Sequence, residues 1–326
     1  MKSIPFYLIL LVAILAYSSC DRDANPIAVD TLNDWEGGNY VFNEPYRDSI
    51  VFCSERFLET AFAPSIYIMN RDGSGIRSLS DRWFTYAPSW SPNKWKIFYV
   101  ADTSFGLSAR ALFLMNANGT NKQRLTPMSE NVWGVDCAPD GKKIAYIVLN
   151  ASGYAKIKVA KPDGSESHDI TGFFGSSQVH TLSWSPDSKW IAFDGHDAGN
   201  EFKENGIGLA NEDGRYFGTL FTHDDQCYDP DWSPDGTKLA FICFTNTGKG
   251  YTPNVFYFDN VAKRIHQVTF DYTIDGRPHW SRDGKYIVYQ SQLPGNAPAH
   301  IFITDLEGNS VRQITDGSRG DWNPSW

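Results

Sequence analysis

Asp-Trp-Ser-Pro-Asp-Gly-Thr-Lys-Leu-Ala-Phe, residues 231 to 241, decides how this chain is read, because variants of it return at a nearly fixed interval. Trp232 has counterparts at Trp90, Cys137, Trp184, Trp280 and Trp326, at intervals of 47, 47, 48, 48 and 46 residues. Self-similarity in that range marks a propeller or a solenoid. Pro followed by Asp-Gly fits a type I turn closed by a glycine at positive φ, which brings two strands back antiparallel. The turn is legible at Ala138 to Gly141 and Ser281 to Gly284, and degraded at Asn93-Lys94 and Asp187-Ser188.

Each unit carries more than this turn. In the unit beginning at Tyr228, the first turn is followed by an apolar strand from Lys238 to Phe244, a third strand over Val255 to Phe258 and a fourth over Ile265 to Thr269. A second turn signal recurs at Asp72-Gly73, Asn118-Gly119, Asp163-Gly164, Asp213-Gly214, Asp259-Asn260 and Glu307-Gly308. Asx-Gly pairs between apolar runs are hairpin signals. Units then close on Leu79-Ser80, Leu125-Thr126, Ile170-Thr171, Val268-Thr269 and Ile314-Thr315, with Leu220-Phe221-Thr222 as a variant.

Four short strands per unit predict an all-β, six-bladed β-propeller of four-stranded antiparallel blades. The chain enters on the second strand of a blade (Ile50 to Cys53) and leaves on a first strand (Trp322 to Trp326), so the C-terminal strand is expected to pair with the N-terminal one and close the ring. Closure removes two open sheet edges at once.

The Trp-Ser-Pro-Asp-Gly turn, the strands Trp190-Ile191-Ala192-Phe193 and Leu239-Ala240-Phe241, the Ile-Tyr-Ile-Met-Asn-Arg-Asp-Gly-Ser-Gly run at 66 to 75 and the Leu-Thr closers resemble the TolB-type, WD-repeat-like propeller family. The resemblance covers residues 49 to 326 and implies a fold that hosts scaffolds, peptidase accessory domains and polysaccharide lyases. Residues 20 to 48 are too short to be the N-terminal α/β domain that TolB carries.

The remaining sequence bounds the setting. A formal charge of -9 disfavours a nucleic-acid partner, whose binders carry a basic stripe. Lys2, the apolar run Ile4 to Tyr17 and Ser18-Ser19 before Cys20 read as a lipoprotein signal peptide over residues 1–19. The apolar run is shorter than the roughly 20 residues of a membrane span. Cys20 is the expected lipidation site, residues 20–48 a tether and N-terminal arm, and residues 49–326 the propeller. That predicts a monomer held at a bacterial envelope membrane, the outer rather than the inner, through its N-terminal lipid alone, facing the periplasm or the surface. Of the other cysteines, Cys137 fills a repeat tryptophan position. Cys227 and Cys243 fall opposite each other, where an oxidising compartment permits a disulfide but directly opposed strand positions often strain it.

The repeat tryptophans read as packing, since burying one removes about 150–250 Å² from water at about 25 cal/mol per Å². Function is sought at the other end of the blades, where links such as Ser54 to Ser65, Gly195 to Glu204 and Thr245 to Pro253 are longer and irregular. Four residues before each repeat position stand Tyr86, Trp133, His180, Tyr228, Gly276 and Trp322, with polar neighbours Gln178, Gln226, Asp275, Arg319 and Asp321. These rings at the channel mouth suit stacking on sugars or on peptide side chains, with the polar groups fixing orientation. The same rings also suit a plug in a narrow channel.

No His-Glu-x-x-His, Gly-x-Ser-x-Gly, P-loop or calcium-loop pattern occurs. His180, His223 and His279 are placed to approach one face, but no ligand spacing joins them. The reading is a non-enzymatic scaffold for an envelope protein or an oligosaccharide, with no cofactor or metal. The alternative is a metal-dependent, lyase-like carbohydrate-active enzyme using the same face. Deleting Asn323 to Trp326 is expected to lower the melting temperature sharply; an unchanged melt would refute the closure.

Overall fold

The computed structural model describes residues 46–326 except 57–63, 81–83, 103–109, 172–178, 196–205, 215, 222–226, 247–249, 296 and 318, with the side chains of 216–221 also excluded. The signal segment, Cys20, Gln178, Gln226 and His223 lie outside the described residues. No described helix is long and apolar enough to cross a membrane.

Six sheets of four antiparallel strands form the blades. Their inner strands are Asp321–Ser325 in blade 1, then Phe84–Trp90, Val132–Cys137, Leu182–Trp184, Cys227–Trp232 and Ile274–Trp280 in blades 2 to 6. Blade 1 joins the two ends of the propeller, for Asp321–Ser325 pairs antiparallel with Ser49–Ser54 through Val51 with Ser325, Cys53 with Trp322 and Ser54 with Asp321. The closure expected from the offset of the repeat is therefore present.

The first turn forms in the same way whether or not glycine closes it. Lys94 at φ 61° and Ser188 at φ 58° take the left-handed place held by Gly236 at φ 68°. A dense local set of hydrogen bonds holds this conformation. The Ser185 hydroxyl donates to Asp187 at 2.6 Å and accepts the Trp190 N–H at 2.9 Å, and Ser91 does the same with Asn93 and Lys96. A side chain that satisfies the turn's donors offsets the cost of roughly 1–2 kcal/mol for left-handed backbone.

Outer strands are shorter than the sequence suggests. In blades 1, 2, 3 and 6 they hold two residues, such as Arg77–Ser78, and the closing pair lies just beyond. Its hydroxyl takes over from the ladder. Ser80, Thr126, Thr171, Thr269 and Thr315 accept the N–H of Ile66, Leu112, Ile157, Val255 and Ile301 at 2.8–3.0 Å. A backbone donor of the third strand is thereby paired in these five blades.

The core is a series of layers between neighbouring blades. Trp90 packs with Val51, Ile66 and Ile97 between blades 1 and 2, Trp184 fills the layer between blades 3 and 4, and Trp326 joins Ile50 and Ile301 at the seam of blades 6 and 1. Cys137 occupies the equivalent place between blades 2 and 3. The tryptophans are 2–7 % exposed, as packing residues should be.

The second-turn glycines also face a neighbouring blade. Gly119 has φ 89°, and a Cβ there would stand 2.7 Å from the carbonyl oxygen of Leu79, the closer of the preceding blade. Gly164 and Gly214 meet Leu125 and Ile170 in the same way, and Gly73 meets Ile314 across the seam. Gly153 has φ 80° with open space around it. Left-handed alanine costs about 1 kcal/mol, which for a domain of this size is about 2–4 °C. Gly153→Ala should therefore lower the melting temperature by about that amount, and Gly119→Ala by at least twice as much; equal shifts in calorimetry would exclude the inter-blade contact as the reason for glycine.

Candidate functional site

The mouth of the channel is where the inner strands begin, opposite the Ser-Pro-Asp-Gly turns. Tyr86 and Tyr228 are half-buried there, Trp133 is 41 % exposed and Gly276 is buried. The His180 side chain is half exposed, with Nδ1 3.7 Å from Asp194, whose carboxylate raises the imidazole pKa above its ordinary value. Trp322 lies against Gly320, where an added Cβ would stand 3.0 Å from its ring. Arg319, in the same approach to the inner strand of blade 1, is half-buried.

Two of the expected polar contacts prove to be internal. Asp275 is 2 % exposed and accepts the hydroxyls of Thr269, Thr273 and Ser291 at 2.6, 2.9 and 2.7 Å. Asp321 has no exposed side-chain surface and takes both arms of Arg56 at 3.0 and 2.6 Å. These carboxylates lock strands in place below the surface, because buried charge is retained only where donors surround it.

Arg110, at the head of a third strand in blade 2, is a mouth residue that the repeat alignment does not reveal. Its guanidinium carbon stands 4.4 Å from the centroid of Tyr86 and 4.0 Å from that of Trp133, so the cation lies against rings of two adjacent blades. The Trp133 indole N–H donates to Asn131 at 3.3 Å and fixes that ring. The signal was the ladder, which sets Arg110 opposite Asp102 at the same end of the blade.

Below the mouth runs a channel of about 90 Å³, lined by Ala87 to Ser89, Gly134 to Asp136, His180 to Leu182, Asp229 to Asp231, Arg277 to His279 and Asn323 to Ser325. These triplets stand just before the repeat tryptophans, and four have proline at their centre: Pro88, Pro230, Pro278 and Pro324. Before each proline, Ala87, Asp229, Arg277 and Asn323 have φ of 44–55°. Here the strands bulge, and a proline adds no unpaired N–H to the interrupted ladder. The Asp229 carboxylate accepts the Arg277 N–H at 2.9 Å and the Thr181 hydroxyl at 3.2 Å, which ties three blades together.

A second ring of contacts lies near the turn end. Asp136 accepts the Ser89 hydroxyl at 3.0 Å from one neighbouring blade and the Trp184 N–H at 2.9 Å from the other. Asp231 does the same with Ser183 at 3.2 Å and the Trp280 N–H at 2.8 Å. Burial pushes Asp136 up to about 6 and Asp231 up to about 7, and pushes His279 down to about 4. His279 lies below the mouth position on its strand, opposite Val288 where Gly276 stands opposite Gln290. His180 and His279 both line the channel, His180 beside Asp194 and His279 beside Asp231. Among the described residues no group of three His, Cys, Asp or Glu is arranged to hold a metal ion.

Among the bridges, Cys227 and Cys243 face each other in the ladder of blade 5 and are joined as a disulfide. The bond sits beside Tyr228 and clamps the start of that inner strand.

No family model matches the chain. It is 24 % identical over 154 residues to the Tol-Pal system protein TolB of Alcanivorax borkumensis, a match spanning 45 % of this chain and 34 % of that protein. The crystal structure of TolB from Acinetobacter baumannii superposes with a TM-score of 0.70 at 18 % identity, covering 86 % of this chain and 66 % of that one. Oligogalacturonate lyase from Vibrio parahaemolyticus gives a TM-score of 0.55 at 13 % identity, covering 81 % and 78 %. The chain thus spans about a third of the curated relative and about two thirds of the solved TolB. These identities show a common fold.

The channel carboxylates set a pH dependence. The proton on Asp231 is held more tightly folded than at the ordinary value of 3.8, so its contribution is full at acid pH and is lost as pH rises through about 7. His279 acts oppositely, contributing above 6.5 and losing that contribution as pH falls through about 4. The two trends oppose each other between about 4 and 6.5, and above that only the loss remains. The melting temperature should fall from pH 6.5 to 8, with His180 adding to the slope in the same direction. Asp231→Asn, which keeps an acceptor for the Trp280 N–H, should flatten it; an equal slope in the variant would assign the effect elsewhere.

Proposed function

We propose that this chain, whose fold is the TolB-type six-bladed propeller, is a non-enzymatic binding scaffold of a bacterial envelope that engages its partner at the channel mouth. One observation carries the reading. Trp133, Tyr86 and Arg110 form an accessible aromatic and cationic rim above a channel of about 90 Å³. Pockets that engulf a small ligand measure about 300–1,000 Å³, so the described residues favour contact across the rim over enclosure of a sugar ring. Flat rings with few rotatable bonds lose little entropy on binding and are the side chains that dominate interfaces.

In this reading a lipid on Cys20 holds the protein to a membrane. The partner is a protein in this reading, with an envelope oligosaccharide as the other occupant.

The metal-dependent carbohydrate-active alternative draws on the fold shared with oligogalacturonate lyase. Stoichiometric manganese, calcium or zinc in the purified protein, with cleavage of an acidic polysaccharide, would favour it. For the scaffold, cross-linked capture from detergent-solubilised envelopes is the direct measure. Trp133→Ala and Trp322→Ala should each weaken capture of the same partner roughly tenfold or more, the usual cost of losing an interface aromatic. Unchanged capture, with an unchanged melt, would make these rings a plug.

A further inference from the structure

We infer that Arg110 is a carboxylate-reading residue of the mouth, and that the partner presents an acidic peptide segment to the sector between blades 2 and 3. This rests on the mouth being the binding face and adds the chemistry that is recognised there.

The other guanidinium groups with described partners at this end have carboxylates. Arg56 is held by Asp321 at 2.6 Å, and Arg277 lies 3.5 Å from Asp229 and donates to the His180 carbonyl at 3.2 Å. Arg110 is held by rings, at 4.4 Å from Tyr86 and 4.0 Å from Trp133. Its ladder partner Asp102 is 9 % exposed, and among the described residues none forms an ion pair with Arg110. Stacking occupies the faces of a guanidinium and leaves its N–H edge in plane, where the five donors match a carboxylate in a bidentate fork.

The ring contacts restrict the side chain before binding, so less rotamer entropy is lost when the fork engages. The neighbouring ring adds contact area, since Trp133 is 41 % exposed beside the cation. A net charge of -9 would repel an acidic partner at long range, so recognition depends on this local pairing. A peptide fits better than a uronic-acid sugar because the channel volume of about 90 Å³ is too small to enclose a ring, whereas an extended chain can lie across the rim.

The full chain labelled with 15N-arginine tests this, reading the Nε–H resonance that Arg110→Gln removes. The probes are an N-acetylated, C-amidated peptide of alternating serine and glutamate, its serine-glutamine twin, and digalacturonate. A saturable shift with the glutamate peptide and none with its twin is expected. Arg110→Gln should weaken binding of that peptide about tenfold or more, the scale of a charged hydrogen bond, and Arg110→Lys should recover only part of it. A silent resonance, or equal shifts from both peptides, would overturn the proposal. A shift with digalacturonate alone would overturn the peptide source in favour of an acidic glycan. If Arg110→Gln leaves envelope capture intact while Trp133→Ala abolishes it, the carboxylate fork falls and the mouth remains the binding face.

Discussion

The antiparallel pairing of Asp321–Ser325 with Ser49–Ser54 is the contact on which the other blades depend. A propeller buries its apolar surface between blades, so in a closed ring each blade packs against two neighbours. The last strand gives blade 1 its inner edge and at the same time sets Trp326 against Ile50, Phe52 and Ile301. Arg71 lies 4.2 Å above the Tyr286 ring and 5.2 Å from that of Trp326, covering the same seam from the side. Gly73 reproduces across the seam the contact that Gly119 makes within the array, so the junction of the two chain ends uses the same device as the continuous parts.

The charged groups divide according to depth. Asp136, Asp229 and Asp231 face the channel, yet each accepts hydrogen bonds from more than one blade and acts as a stitch. Withdrawing carboxylates from water is costly, and protonation of Asp136 and Asp231 near neutral pH is the form in which that cost falls. Behind the mouth, Asp275 is enclosed by hydroxyls and Asp321 by Arg56. What remains for recognition is the rim itself, where Trp133 is exposed and Arg110 is stacked, on a frame whose strands are fixed by buried hydroxyl and carboxylate contacts.

That separation explains how one repeat serves both stability and binding. The turn end is stereotyped because Ser, Asx and a left-handed residue complete one another's hydrogen bonds, as at Ser185, Asp187 and Ser188. The mouth end carries no such requirement. Its residues vary from blade to blade, with Tyr86, Trp133, His180, Tyr228, Gly276 and Trp322 at equivalent places, and variation without a packing rule leaves room for a ligand.

The sequence by itself determined the number of blades, the strand order and the closure, because these follow from a period near 47 residues and from its offset at the two ends. It also located the mouth, since the repeat tryptophans provide a common register for the residues four places earlier. Only the tertiary structure decided which mouth residues are available. Asp275 and Asp321 look like exposed polar neighbours in sequence, but Ser291 and Arg56, distant along the chain, enclose them. Arg110 sits outside the aligned column and reaches it through the register of a third strand. The second-turn glycines announced hairpins, whereas their closest contacts are to carbonyls of the preceding blade. Periodicity is a property of one blade and is written locally. Pairing of charge and ring across blades depends on how neighbours meet, which no interval along the chain specifies.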